Sequence, residues 1–94
     1  MSKSIIQDEK VCYITGRGDT LEEHHVYCGV GNRKLSEKYG LKVYLTAEMH
    51  RGPKGVHCNR ELDLQIKAEV QEKAMEYYGW DVEDFRHVFG KSYV

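Results

Sequence analysis

The stretch LEEHHVYCGVGNRK, residues 21–34, sets His24 and His25 side by side behind Glu22 and Glu23, and follows them with a glycine-rich turn and Asn32. Residues 21–27 (LEEHHVY) read as a strand, and successive side chains of a strand point to opposite faces. One imidazole then faces the core and the other faces solvent. As packing this is wasteful. It makes sense if the two rings do different jobs.

Working outward, residues 11–15 (VCYIT) read as a short strand, and 15–20 (TGRGDT), with two glycines and an aspartate, as the turn after it. Residues 28–31 (CGVG) are a tight loop. Residues 32–40 (NRKLSEKYG) read as a short helix, with Asn32 as N-cap and Gly40 as terminator. Residues 41–46 (LKVYLT) alternate Leu41, Val43 and Leu45 on one face, the pattern of a half-buried strand. Residues 47–56 (AEMHRGPKGV), which contain the only proline, read as a loop. The longest helix follows an Asn59 cap and carries Glu61 in its first turn. Leu62, Ile66, Val70, Ala74 and Tyr77 recur near the helical period, and Gly79 ends the pattern. A last short helix lies in 81–90 (DVEDFRHVFG), capped by Asp81, with Val82, Phe85 and Phe89 turned inward. Short strands mixed with helices make the class α+β. Residues 10–94 read as one domain, and the polar, aperiodic residues 1–9 as a flexible N-terminal arm.

At 94 residues, with 31% charged and 40% hydrophobic side chains, the composition is that of one small globular domain. Its core is modest, so a metal or a partner would add stability. No apolar run reaches the length of a membrane span, and no secretory signal is visible. Three cysteines without C-x-x-C spacing argue against a disulfide framework and for a reducing, cytoplasmic setting. The net charge of −1 is unevenly spread: residues 31–67 hold eight basic and four acidic side chains, while both ends are net acidic. Phosphate contact requires a local basic surface and not a basic whole. A solvated charged face explains the same count.

Of five histidines, four (His24, His25, His50 and His57) sit beside expected breaks or element junctions. Any one alone reads as a surface or satisfied core histidine. Four in one small domain point to a metal, because neutral imidazole is the commonest protein ligand for transition metals.

These residues resemble the HNH endonucleases and their ββα-metal motif. In that family a hairpin's first strand ends in an acidic or histidine ligand followed by the catalytic histidine. An asparagine follows in the connecting loop, and a second strand leads toward a helix that supplies the remaining ligands. Here EEHH ends the first strand, Asn32 follows, KVYLT is the second strand, and EMHRGPKGVH leads into the helix. Over residues 11–94 the chain more narrowly resembles small phage and prophage HNH-like proteins, with C-x-x-TG, HH, NRK-SEKYG and GVH-NRELD runs and an FGK-Y tail. The resemblance implies a ββα-metal, treble-clef-like core with a short hairpin, a long helix and a C-terminal helix. It implies His25 as general base, His24 and His50 as metal ligands, and His57 as a possible third. It implies Asn32 as a buttress of the hairpin loop, a role with which a plain helix cap competes. The implied activity is metal-dependent DNA cleavage, nicking or cutting with little sequence specificity, by a phage-encoded protein in the host cytoplasm.

Many HNH proteins also carry a structural zinc on two C-x-x-C knuckles. Here Thr15, Thr46 and Met49 stand where cysteines would be, and the single thiolate of Cys12 cannot close a tetrahedral site. The expectation is a fold without zinc knuckles, its place filled by packing. Cys28 and Cys58 are replacement ligands only with unsuitable spacing.

Phosphodiester hydrolysis requires an attacking hydroxide, stabilised charge on the phosphoryl group, and help for the leaving oxygen. Imidazole, with an ordinary pKa of about 6.5, takes a proton from water near neutral pH. One divalent cation stabilises the developing charge. All-imidazole ligands suit Zn²⁺, Ni²⁺, Co²⁺ or Mn²⁺ better than Mg²⁺, which prefers oxygen. HNH enzymes commonly work with Mg²⁺ or Mn²⁺, so the identity of the ion stays open. Arg51, Lys54 and Arg60 flank His50, His57 and the start of the long helix, and are candidates for contact with neighbouring phosphates. Two other functions fit the same residues. One is a DNA- or protein-binding accessory module of a phage machinery that keeps the scaffold without cleavage. The other is a structural zinc module on Cys12, Cys28, Cys58 and a histidine, against which the spacing counts.

Overall fold

The computed structural model describes residues 3–94. Strands β1 (Leu21–His25) and β2 (Lys42–Thr46) form a two-stranded antiparallel sheet in which Leu21 pairs with Thr46 and His25 with Lys42. Helix α1 (Asn32–Tyr39) lies in the connection between them. Helices α2 (Ala47–Arg51), α3 (Arg60–Tyr78) and α4 (Val82–Phe89) follow. The class is therefore α+β, with a small sheet and, among the described residues, four helices around one core.

The caps are written in the sequence. The Asn59 side-chain oxygen accepts from the Leu62 N–H at 3.1 Å and starts α3, and Gly79 ends it in the left-handed region at φ 69°. Asp81 and Asp84 cap α4 reciprocally, each carboxylate accepting from the other's backbone N–H. Gly40 ends α1 at φ 71°, and a Cβ there would sit 2.5 Å from the Lys3 carbonyl oxygen. Glycine is needed at this crossing both for its backbone angle and for its missing side chain.

Leu41, Val43 and Leu45 meet Ile66, Val70 and Ala74 of α3 and Phe85 and Phe89 of α4 in a single apolar cluster. Tyr27 stands at its centre. Its ring centroid is 5.3 Å from that of Phe85 and 4.7 Å from that of Phe89, and its hydroxyl donates to the Lys67 carbonyl at 2.6 Å. Truncating a buried ring of this kind costs about 3–5 kcal/mol.

Four local expectations are corrected. Residues 11–15 form a turn and not a strand: the Cys12 N–H donates to the Arg17 carbonyl at 2.7 Å, and the Gly16 N–H to the Cys12 carbonyl at 2.9 Å. The apolar run suggests a strand, but its side chains reach the core from a turn. Residues 47–51 are helical and not a loop. Thr46 caps them by accepting from the Met49 N–H at 3.3 Å, and five residues are too few to show a period. Tyr77 is exposed, and Gln71 takes the buried position on α3, where its amide oxygen accepts from the Tyr93 N–H at 2.6 Å and its amide nitrogen donates to Ser92. The helix α1 begins with Asn32 itself, after Gly31, and no side chain caps it.

Residues 1 and 2 of the expected arm lie outside the described residues. From Ser4 onward the segment is attached to β2: the Ser4 hydroxyl donates to the Lys42 carbonyl at 2.5 Å, Gln7 accepts from the Tyr44 N–H at 2.7 Å, and Ile5 and Ile6 pack on the core. Among the described residues no helix is long and apolar enough to cross a membrane.

Candidate metal centre

The register of the sheet separates the two adjacent histidines. Glu22 and His24 share one face of β1 with Val43 and Leu45 opposite, while Glu23 and His25 share the other with Tyr44 and Lys42. His24 is thereby pressed into the core. His50 comes from α2, directly after β2. His57 returns to it through a tight loop in which the Val56 N–H donates to the Met49 carbonyl at 2.8 Å. Gly55 makes this return possible, since a Cβ there would sit 2.6 Å from the Met49 carbonyl oxygen.

One ring nitrogen each from His24, His50 and His57 lies within 4.8 Å of the other two. The ring centroids of His50 and His57 are 4.7 Å apart, and their Nε2 atoms 3.0 Å. For Zn–N bonds of 2.0–2.1 Å a tetrahedron has an N–N edge of about 3.4 Å, close to the 3.0 Å between His50 and His57. The protonation pattern fits as well. The Glu22 carboxylate accepts from His50 Nδ1 at 2.7 Å, which leaves the lone pair on Nε2. That bond from His50, assisted by Arg51, holds the Glu22 carboxyl below the usual carboxylate range. Burial, followed by the charges of His50 and His57, pushes His24 down to about 4, so its ring is neutral at physiological pH. Its Nε2 is buried without a hydrogen-bond partner, the single such side-chain atom among the described residues. A buried imidazole nitrogen left without a partner is costly unless something binds it.

The three rings open onto a cleft of about 260 Å³ that is also lined by Glu23, His25, Cys28 and Arg33. His25 reaches it from the other face of β1. His25 Nε2 donates to Glu37 at 2.9 Å, which leaves Nδ1 as the ring atom able to take a proton. Lys42, almost fully buried, donates to Glu37 at 3.0 Å and to Glu23 at 3.3 Å. Burial alone would lower the Lys42 pKa; the hydrogen bonds to Glu37 and Glu23 outweigh it and raise the value.

The four histidines expected to act together do meet in one cleft. Asn32 does not join them: its side chain points to the Phe89 carbonyl, 3.5 Å away, and it does not line the cleft. Arg51 gives its guanidinium to Glu22 in two hydrogen bonds of 3.0 and 2.6 Å, and Lys54 and Arg60 are exposed outside the cleft lining. Glu22, Glu37, Lys42 and Arg33 are the site residues that the sequence did not single out. Only Glu22 carried a signal, because it stands two residues before His24 and so on the same strand face.

Of the would-be knuckle positions, Thr15 and Thr46 lie against Cys12. Burial would raise its thiol pKa, but the Thr15 side chain and the backbone at Thr15, Thr46 and Ile14 hydrogen-bond the sulfur and lower it to about 7. Cys28 and Cys58 are exposed, and among the described residues the side-chain groups able to gather round an ion contain no cysteine.

Compared with known proteins, the chain matches no family model, no curated protein and no solved structure.

Proposed function

We propose that this chain is a metal-dependent DNA endonuclease of the HNH type, with a ββα-metal core, in which His24, His50 and His57 hold one divalent ion and His25 is the general base. The observation that carries it is the buried, unpartnered Nε2 of His24, turned to two further imidazoles in a cleft that His25 shares. The bound ion would stabilise charge on the phosphoryl group and the leaving oxygen. Glu22 fixes the tautomer and orientation of His50. His25 takes the proton of the attacking water at Nδ1, and the Glu37 carboxylate stabilises the imidazolium that results. The phage origin and the host-cytoplasmic setting belong to the same proposal.

One observation favours a non-catalytic DNA- or protein-binding module. His25 is tied into the Glu37–Lys42–Glu23 cluster and has structural partners of its own. Incubating supercoiled plasmid with the protein, a panel of Mg²⁺, Mn²⁺, Zn²⁺, Ni²⁺ and Co²⁺, and an EDTA control separates the two. Ion-dependent conversion to nicked or linear DNA is expected. A protein that binds metal and DNA and cuts with none of the ions would be the accessory module.

A further inference from the structure

We propose that Arg51 is a positioning residue of the histidine group: its guanidinium fixes the Glu22 carboxylate, and through it the His50 ring, in the orientation that turns His50 Nε2 toward His57. The proposal rests on the metal reading of that group and not on the nuclease reading. It gives Arg51 a role other than the phosphate contact for which its place in the sequence made it a candidate.

The residues form one chain of contacts. Arg51 Nε donates to Glu22 Oε1 at 3.0 Å and Nη2 to Oε2 at 2.6 Å, so the guanidinium meets both carboxylate oxygens. His50 Nδ1 donates to Glu22 Oε1 at 2.7 Å, the same oxygen that Arg51 Nε reaches. His50 Nε2 then stands 3.0 Å from His57 Nε2. A single bond from His50 would leave the carboxylate of a flexible glutamate free to turn about its last torsion. The paired bonds from Arg51 set both its place and its plane. The backbone brings the partners together: Glu22 pairs with Leu45 across the sheet, and α2, which carries His50 and Arg51, starts directly after β2. Adjacent helical side chains point about 100° apart, yet these two end on one carboxylate.

An isolated ion pair with so exposed an arginine would contribute little. Two features set this one apart, the fork geometry and the oxygen shared with a ligand histidine. The sign of the effect on metal binding separates positioning from charge. A guanidinium repels a nearby divalent cation, and it also offsets the Glu22 carboxylate that would attract one. Coulomb's law alone therefore predicts tighter metal binding when Arg51 is removed. Positioning predicts weaker binding, because His50 loses the support that fixes its tautomer and direction.

The test is a competition titration of Zn²⁺ between the full-length protein and a chromogenic chelator. It compares the wild type with Arg51→Ala, Arg51→Lys, Glu22→Ala and the double variant Glu22→Ala with Arg51→Ala. Arg51→Ala should weaken metal binding about three- to tenfold, less than Glu22→Ala does. Arg51→Lys, which keeps the charge and loses the fork, should recover only part of the loss. The double variant should bind no more weakly than Glu22→Ala alone, because without the carboxylate Arg51 has nothing to hold. The melting temperature of metal-free Arg51→Ala should stay near that of the wild type, since Arg51 is exposed. Unchanged or tighter binding by Arg51→Ala would overturn the proposal, as would a loss of the same size when Arg51→Ala is added to Glu22→Ala. A wild type that holds no Zn²⁺ would end the metal reading and this proposal with it. A wild type that holds the ion, beside an Arg51→Ala that holds it equally well, would end this proposal alone.

Discussion

The two faces of β1 each gather three groups able to hold a metal ion: His24, His50 and His57 on one, and Glu23, His25 and Glu37 on the other. By distance alone the two are equivalent. By charge they are opposites. The second group already contains its cation, since Lys42 Nζ stands 3.0 Å from Glu37 and 3.3 Å from Glu23. Among the described residues the first contains none, and its His24 Nε2 is buried without a hydrogen-bond partner. Closeness alone therefore does not separate the two groups; the internal counter-ion does, and it makes the histidine group the better candidate for an ion. On the proposed reading the difference explains why the two histidines stand side by side: one strand delivers a ligand to the first face and a carboxylate-supported base to the second.

The comparison breaks most visibly at the histidines themselves. His25→Ala should lower cleavage by about 10²–10⁴-fold, the usual contribution of a general base. His24→Ala should abolish it by removing the ion as well. Nicking rates at saturating metal check both. A faster His24→Ala than His25→Ala would exchange their roles.

The second face should fail through charge and not through metal. Lys42→Met leaves Glu23 and Glu37 facing each other without their cation. Breaking a buried pair costs about 3–5 kcal/mol, and the partial exposure of both carboxylates places the loss at the lower end, about 3 kcal/mol. Urea unfolding of the metal-free protein measures it. Metal binding at His24, His50 and His57, as proposed, should be unaffected by Lys42→Met.

Acid should act on the first face. The folded-state pKa of His24, about 4, lies below its ordinary value of 6.5. The folded, metal-free protein then binds fewer protons at this site than the unfolded chain. The stabilisation is fully present above about pH 6.5 and is lost as pH falls toward about 4, with about 3 kcal/mol at stake. Melting temperatures of chelated protein from pH 7 to 4 should show the decline, and His24→Leu should flatten it. The smallest effect belongs to Glu22→Gln, which keeps a hydrogen bond to His50 but loses the carboxylate. Metal affinity should drop about 10–100-fold in a competition titration with little change in folding.

Much of this was legible in the sequence because the signals were local. Asn59, Gly79 and Asp81 bound their helices through caps that depend on a few neighbouring residues. The alternation in residues 41–46 identified β2 and its buried side. The clustering of four histidines at junctions anticipated their meeting in one cleft. What failed depended on distant partners. Residues 11–15 look like a strand until the Cys12 N–H is seen to close on Arg17. Residues 1–9 look loose because their anchors, Ser4 and Gln7, bond to backbone of β2 about 37 residues away. Lys42 is indistinguishable from a surface lysine without Glu23 and Glu37 around it. Asn32 reads equally as a cap or a buttress, and its side chain bonds to α4 instead.

The most direct test of the central claim is the metal content of the purified chain after equilibrium dialysis against Zn²⁺, compared among the wild type, His24→Ala and His25→Ala. About one ion per chain is expected in the wild type and in His25→Ala, and none held tightly in His24→Ala. An ion that survives His24→Ala, or that is lost in His25→Ala, would contradict the assignment of the two faces.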